Sequence, residues 1–337
     1  MAGSAHDSAV METAADASLC KLSASSLGYY HDPFVQFFVK FPSRRMPIIN
    51  RGYYARVAAV EALVSKFLAS SAAPDTQQQK KQVVVLGAGH DTMFFRLQEA
   101  GKLAQCEYFE LDFPDVTMQK VAVMKRRKAL AALVGLDSSE AFVAAVSSGY
   151  AELNTSGYHL LPCDLRDLEQ TRTKLEAAGI DTSAPTLFVS ECVLIYMDAA
   201  FSSRVIAWSA ELFGDVSFVL YEQILPDDAF GRVMMANIKA RGCDLLSIRE
   251  YPTLEAQVAR FRVHNFEAVQ AWDMNRIYYE YLDAAERTKY ASCEREKLEI
   301  FDELEEFHLL QAHYCVVVAS KSVGSPAAQA LVLATQS

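Results

Sequence analysis

The sequence lacks several features that would place the protein in a familiar class. Its seven cysteines stand singly, with no C-x-x-C pair, which predicts free thiols in a reducing compartment and no metal site. Basic residues number 32 against 42 acidic ones, and the net charge of −10 argues against a nucleic-acid partner. The beginning of the chain has no signal-peptide layout, and no apolar run is long enough to span a bilayer. We therefore expect a cytoplasmic protein, with the nucleus as a further compartment, and no membrane partner.

The composition does allow a large globular core. Hydrophobic residues make up 51% of the 337 residues and charged residues 22%. Apolar strands alternate with helical stretches, which predicts an α/β fold with a mostly parallel sheet. The predicted strands are Val83–Leu86, Tyr108–Leu111, Tyr158–Leu161, Thr186–Ser190, Ser217–Tyr221, Phe266–Trp272 and Tyr314–Ala319.

The chain divides into a single domain with two peripheral segments. We predict a disordered leader over 1–17, one domain over 18–320 and a flexible tail over 321–337. Within the domain, residues 18–80 are aromatic-rich and mainly helical, and they precede the first strand. Residues 224–251 form a helical insertion that would overhang the carboxyl edge of the sheet as a lid. A plain surface helix is an equally good interpretation of that insertion.

A glycine turn follows the first strand in VVVLGAGHDTMFF, residues 83–95. The pattern is strand, tight turn and helix, and such a junction directs backbone N–H groups at a nucleotide-like ligand. Gly87 and Gly89 are the candidate binding residues, because a side chain would forbid positive φ or hold the ligand away. A buried strand-to-helix turn without a ligand is the alternative.

Acidic residues follow the next three strands. Asp112 stands 23 residues after Gly89, where a carboxylate would accept hydrogen bonds from ribose hydroxyls. Asp164 and Leu165 follow the third strand, at the position of an adenine ring, although Asp164 could instead cap the helix near Leu168. Glu191 ends the fourth strand, where an unpaired buried carboxylate would be costly without a ligand.

These strand ends favour S-adenosylmethionine over a nicotinamide dinucleotide. The turn lacks the third glycine of dinucleotide sites, and the acids would repel a diphosphate. S-adenosylmethionine has no phosphate and carries cations that suit carboxylates. Its own carboxylate needs a basic partner, for which Lys21 and Arg56 are candidates; each could also be an ordinary surface charge.

Taken together, the motifs resemble those of the leucine carboxyl methyltransferase family, from about Ser18 to Ser320. The matching strings are ASLCK (17–21), GYYHDPF (28–34), NRGYYARV (50–57), LGAGHDT (86–92), YFELDFP (108–114), CDLRDL (163–168), ECVLIYM (191–197), YEQ (221–223) and HYC (313–315). The resemblance implies a Rossmann-like class I methyltransferase core with N-terminal helices and a helical insertion over the active site. It also implies S-adenosylmethionine as cofactor and the catalytic subunit of protein phosphatase 2A as partner. We expect a monomer.

The resemblance also implies roles for individual residues. Lys21 and Arg56 would contact the methionine carboxylate or the substrate carboxylate. Gly87 would line the turn, Asp112 would bind the ribose, and the remaining strand-end residues would bind adenine and the amino group: Asp164, Leu165 and Glu191. Arg56 and Tyr196 would hold the leucine carboxylate as the catalytic pair. No general base is needed, since a C-terminal carboxylate is already ionised at neutral pH.

Other functions stay open at this point. A longer relative in the family acts on a modified guanosine of transfer RNA and carries a C-terminal β-propeller, and we expect none here because the residues after Ser320 are too few to form one. A small-molecule or other carboxyl O-methyltransferase of the same fold is a further alternative. A nicotinamide-dependent oxidoreductase and a non-catalytic phosphatase-binding protein fit the site sequence less well.

Overall fold

A computed structural model describes residues 5–70, 80–283 and 299–331. Its centre is a nine-stranded sheet in the order β3-β4-β5-β2-β1-β6-β7-β9-β8. The strands are β1 Lys81–Leu86, β2 Cys106–Asp112, β3 Val146–Ser147, β4 Glu152–Asn154, β5 Tyr158–Pro162, β6 Thr186–Glu191, β7 Val216–Gln223, β8 Ala268–Asp273 and β9 Tyr314–Ser320. All seven predicted strands are present; the short β3 and β4 were not predicted.

The five central strands are parallel, and the antiparallel strands lie at the two sides. β5, β2, β1, β6 and β7 run in one direction, so their carboxyl ends form one edge of the sheet. β9 is antiparallel to β7 and β8, and β4 is antiparallel to β5. The strand order reverses direction at β1, and ligands bind at such a switch point in open α/β sheets.

Helices cover both faces of the sheet. The helices are α1 Ala5–Ser26, α2 Pro47–Ala69, α3 Met93–Glu99, α4 Pro114–Arg126, α5 Lys128–Leu133, α6 Ser139–Ala145, α7 Leu168–Ala177, α8 Ala199–Leu212, α9 Ala229–Lys239, α10 Leu254–Arg262 and the short Met274–Arg276, Leu304–Ala312 and Pro326–Ala330. Within the described residues, no helix combines the length and the apolar character needed to cross a bilayer.

Two hydrophobic cores lie on opposite faces of the sheet because successive strand residues point to opposite sides. On one face, Val83 and Val85 of β1 pack in a core that includes Phe67 of α2. On the other, Val84 and Leu86 pack in a core shared with α8 and α10. The four residues Val83–Leu86 of β1 are therefore all apolar, as expected for a strand covered on both sides.

The prediction of a disordered leader is wrong for residues 5–17, which belong to α1. The segment is rich in alanine, a strong helix former, and Asp7 and Ser18 are buried against the rest of the domain. Residues 1–4 lie outside the described residues. The flexible-tail prediction is also wrong in part, because Leu331 is fully buried at the end of the helix Pro326–Ala330. Residues 332–337 are not described.

Candidate active site

A cavity of about 580 Å³ lies at the carboxyl edge of the parallel strands. Its walls come from the strand ends, from α1 and α2, and from the insertion that contains α9. Every site residue predicted from the sequence lines this one cavity: Lys21, Arg56, Gly87, Gly89, Asp112, Asp164, Leu165, Glu191 and Tyr196. The residues that the sequence singled out thus lie together at one edge of the sheet.

The glycine turn after β1 requires glycine for two reasons. Gly87 has φ +59° and Gly89 has φ +53°, a region that disfavours residues with a Cβ. A Cβ on Gly87 would lie 2.6 Å from Cγ2 of Val193, and one on Gly89 would lie 3.2 Å from Cβ of Ala14. The turn is therefore packed against neighbouring protein on one side, and its backbone faces the cavity on the other.

Asp112 links the glycine turn to the end of β2. Its Oδ2 accepts a hydrogen bond from the Gly89 N–H at 2.6 Å, and its Oδ1 accepts one from the Phe113 N–H at 2.7 Å. Burial raises the pKa of Asp112 to about 6, against the lowering effect of these two bonds. Each carboxylate oxygen has a second lone pair, so Asp112 can still accept hydrogen bonds from a ligand.

Two cations meet Glu191 at the end of β6: the buried Lys21 and Arg56, whose side chain is 12% exposed. The Arg56 Nε donates to Glu191 Oε2 at 2.6 Å, and the Lys21 Nζ lies 4.0 Å from the same oxygen. The Arg56 guanidinium also lies over the ring of Tyr221, 4.9 Å from its centroid. Lys21 is 5% exposed, so the alternative that these two residues are surface charges is wrong.

Asp91 is a site residue that the sequence reasoning missed. It forms an ion pair with Lys21, and its Oδ1 accepts a hydrogen bond from the Met93 N–H at 2.6 Å. Burial alone would raise the pKa of Asp91, but Lys21 and Arg96 hold it well below its usual value. An acid directly after the glycine turn was the available signal, but its basic partner lies 70 residues away.

His90, between Gly89 and Asp91, lines the cavity without a hydrogen bond. Both of its ring nitrogens are buried and have no partner among the described residues. Burial lowers its pKa to about 4, and its ring stacks on Phe38 with centroids 5.6 Å apart. His90 is therefore neutral at physiological pH.

Asp164 does not cap a helix. Asp167 caps α7 instead, since its side chain accepts from the Gln170 N–H. The Asp164 carboxylate is paired with Arg166, whose Nη2 lies 2.7 Å from Oδ2. Arg166 in turn donates to both carboxylate oxygens of Asp7, at 3.0 and 3.1 Å. An ion-pair chain thus joins the end of β5 to α1.

The first half of α1 forms the roof of the cavity. His6 Nε2 is 3.1 Å from the carbonyl oxygen of Tyr196, and Ala14 packs over Gly89. Val10 and Ala17 also line the cavity from α1. The segment predicted to be a disordered leader is therefore part of the site.

Aromatic and apolar side chains also line the cavity. They include Tyr53, Tyr196 and Tyr314, and the insertion contributes Ile238 and Leu246 together with Arg241. The insertion at 224–251 thus overhangs the carboxyl edge of the sheet, which agrees with its interpretation as a lid and not as a plain surface helix.

No group of three or more His, Cys, Asp or Glu side chains within the described ranges could hold a metal ion. The cations that line the cavity include Lys21, Arg56, Arg166 and Arg241, and its acids include Asp91, Asp112, Asp164 and Glu191.

Comparison with known families identifies the chain. The family model for leucine carboxyl methyltransferase matches residues 9–210, which is more than half of the sequence. The chain belongs to the leucine carboxyl methyltransferase family. It is an S-adenosylmethionine-dependent methyltransferase with a Rossmann-like class I fold, and the predictions of family, fold class and enzyme class are confirmed.

Relatives of this methyltransferase cover nearly the whole chain. The leucine carboxyl methyltransferase 1 homolog of Arabidopsis thaliana is 43% identical, over 92% of this chain and 89% of the relative. The human tRNA wybutosine-synthesizing protein 4 is 38% identical, over 93% of this chain but only 44% of its own length. Among solved structures, a candidate methyltransferase of Thermobifida fusca shares the fold, with a TM-score of 0.50, 13% identity and coverage of 90% and 94%.

Proposed function

We propose that this methyltransferase esterifies the α-carboxylate of the C-terminal leucine of the protein phosphatase 2A catalytic subunit. The observation that carries the proposal is the position of Arg56. Its guanidinium donates to the Glu191 carboxylate, lies over the ring of Tyr221, and shares the cavity with aromatic and apolar side chains. A C-terminal leucine whose carboxylate is bound by Arg56 would place its apolar side chain against Ile238 and Leu246.

The strand-end residues fit S-adenosylmethionine. Asp112 would accept from the ribose hydroxyls, Asp164 and Leu165 would contact the adenine, and Glu191 would face the amino group. Lys21 would bind the carboxylate of the methionine part, since it is a buried cation at the glycine turn. When bound, this cofactor supplies a methyl group on a positively charged sulfur, which neighbouring carboxylates tolerate.

The acceptor needs positioning, not a base. A C-terminal carboxyl group has an unperturbed pKa near 3.5, so it is the anionic nucleophile at neutral pH. Burial lowers the pKa of His90 to about 4, so this histidine of the cavity is a weak base, and the proposed reaction requires none. Arg56 and Tyr196 would hold the carboxylate in line with the methyl group, and such alignment contributes roughly 7–11 kcal/mol in favourable cases.

A folded protein substrate would need a surface outside the cavity. Two segments beside the site expose large apolar side chains: Phe41 is 85% and Met46 61% exposed before α2, and Val233 is 58% exposed on α9. Exposed apolar residues of this size favour contact with a protein partner. We propose these two segments as the contact surface for the phosphatase.

The test is transfer of a labelled methyl group from S-adenosylmethionine to the phosphatase catalytic subunit. A subunit without its terminal leucine is the substrate control, and Arg127→Ala, on the surface beside α4, is the control for Arg56→Ala. We expect base-labile label on the intact subunit alone, lost with Arg56→Ala and kept with Arg127→Ala. Label on neither subunit would contradict the proposed acceptor.

A transfer RNA substrate is the second candidate, because the human tRNA wybutosine-synthesizing protein 4 is 38% identical to this chain. The net charge of −10 disfavours it, since nucleic-acid affinity depends on basic contacts with phosphates. The same labelling assay with total transfer RNA decides between the two. Methyl transfer to RNA and not to the phosphatase would replace the first proposal with this one.

A further inference from the structure

Gln223 is a buried polar residue in the cavity that none of the roles above uses. It is the last residue of β7, it is 4% exposed, and it lines the cavity. Its Oε1 is buried and has no hydrogen-bond partner among the described residues. Buried side-chain carbonyls are normally paired, so this oxygen calls for a donor on a ligand.

The neighbours of Gln223 fix the direction of its amide. Gln223 is paired in register with Tyr314 of β9, so the two side chains are neighbours on one face of the sheet. Tyr221, two residues earlier on β7, points to the same face, and its ring stacks on Tyr314 with centroids 5.3 Å apart. The amide of Gln223 therefore lies beside an aromatic pair on the face of the sheet that meets the cavity.

The same face carries the cation of the site. The Arg56 guanidinium lies 4.9 Å from the centroid of the Tyr221 ring. Tyr221 and Gln223 are two residues apart on β7, a distance of about 7 Å along a strand. Because Arg56 lies over Tyr221, Arg56 and Gln223 can contact two groups of one small ligand. Asp112 and Asp164 follow β2 and β5, on the other side of β6 and β1 from β7. Gln223 thus belongs to the acceptor end of the cavity.

A C-terminal residue has one donor next to its carboxylate, the N–H of the last peptide bond, since both groups are attached to the same Cα. With the carboxylate at Arg56, this N–H is the group that can reach Gln223. We propose that Gln223 Oε1 accepts a hydrogen bond from the N–H of the acceptor's last peptide bond. The inference rests on the proposed function and extends it, because Gln223 would select a chain end presented as a peptide.

The experiment uses two semisynthetic phosphatase catalytic subunits that differ in one atom. In one, the terminal leucine is attached by the natural amide; in the other, an ester oxygen replaces the N–H. Initial rates of S-adenosylhomocysteine release are measured with the wild-type enzyme, Gln223→Leu and Gln223→Glu. Gln170→Leu, at an exposed position of α7, is the control.

We expect the wild-type enzyme and Gln170→Leu to use the ester substrate with a kcat/KM about 10-fold below that of the amide substrate, as for one lost hydrogen bond. Gln223→Leu should lose this preference, through a higher KM for the amide substrate, with an unchanged Kd for S-adenosylmethionine. Gln223→Glu keeps an acceptor oxygen and should keep the preference, with a raised KM because its charge repels the substrate carboxylate.

Each result separates this inference from the proposed function. Equal use of both substrates by the wild-type enzyme, or an unchanged preference in Gln223→Leu, would overturn the role of Gln223 and leave the proposed function intact. No transfer to either substrate by the wild-type enzyme would overturn both. If Gln223→Leu does not fold, loss of the preference in Gln223→Glu overturns the inference, since that variant keeps the acceptor.

Discussion

Replacing Gly87 by alanine should destabilise the enzyme through two separable effects. Its φ of +59° lies in the left-handed region, which costs a residue with a Cβ about 1–2 kcal/mol. The new Cβ would also lie 2.6 and 2.8 Å from the two Cγ atoms of Val193, and such overpacking costs about 1–3 kcal/mol. We therefore expect Gly87→Ala to lower the free energy of unfolding by about 2–5 kcal/mol.

A double-mutant cycle measured by urea unfolding separates the two effects. Val193→Ala removes both Cγ atoms, so the double variant should recover the overpacking part, a coupling of about 1–3 kcal/mol. Gly101→Ala is the matched control, because Gly101 has φ +69° but no atom within 4 Å of its added Cβ. Gly101→Ala should lower the free energy of unfolding only by the backbone cost of about 1–2 kcal/mol. Additive effects of Gly87→Ala and Val193→Ala would refute the assigned contact.

Three further predictions concern charged residues of the site. Arg56→Ala should lower kcat/KM about 1000-fold. It should lower the free energy of unfolding by only about 1–3 kcal/mol, because Glu191 still has Lys21 at 4.0 Å. A loss of unfolding free energy as large as the loss of transition-state stabilisation would contradict its role. Asp7→Ala removes the ion pair with Arg166 that holds α1 over the cavity. It should therefore speed cofactor dissociation, measured by stopped flow, about 5–10-fold. An unchanged dissociation rate would contradict this role of the ion pair. The pKa of Asp112 is raised to about 6, so the folded chain binds this proton more tightly than the unfolded chain. Relative to Asp112→Asn, wild-type stability should fall as pH rises from about 4 through 6 in urea unfolding, and a constant difference would contradict the raised pKa.

The position of the site was predictable because it depends on local patterns and one geometric rule. Parallel strands bring their carboxyl ends to one edge, so Gly87, Asp112 and Glu191 had to lie near one another once the strands were recognised. The strands themselves could be predicted because each has a run of mostly apolar residues, such as Val83–Leu86 of β1. Lys21 and Arg56 were predicted as cations within otherwise apolar segments, and both line the cavity.

The rest of the site depends on contacts between distant residues. Residues 5–17 read as a disordered leader because small residues offer little apolar surface, yet α1 is held by Asp7 on Arg166 and by His6 on Tyr196. Tertiary contacts, not local propensity, decide such a segment. The partner of Asp91 is equally remote in sequence.

Gln223 gives the same lesson at the acceptor end of the cavity. YEQ is one of the strings that match the family, but nothing within it assigns Gln223 a role, and only the pairing of β7 with β9 brings it beside Tyr314. Gln223 lines the cavity, and its Oε1 has no hydrogen-bond partner among the described residues. Sequence spacing therefore indicated the strand ends at β1, β2, β5 and β6 better than the end of β7.

The most direct test is to locate the transferred methyl group by tandem mass spectrometry of the phosphatase catalytic subunit after reaction with this enzyme and S-adenosylmethionine. We expect one added methyl group on the C-terminal leucine, removed by mild base and absent after reaction with Arg56→Ala. A methyl group on any other residue, or an unmodified phosphatase beside an enzyme that binds the cofactor, would contradict the proposed reaction.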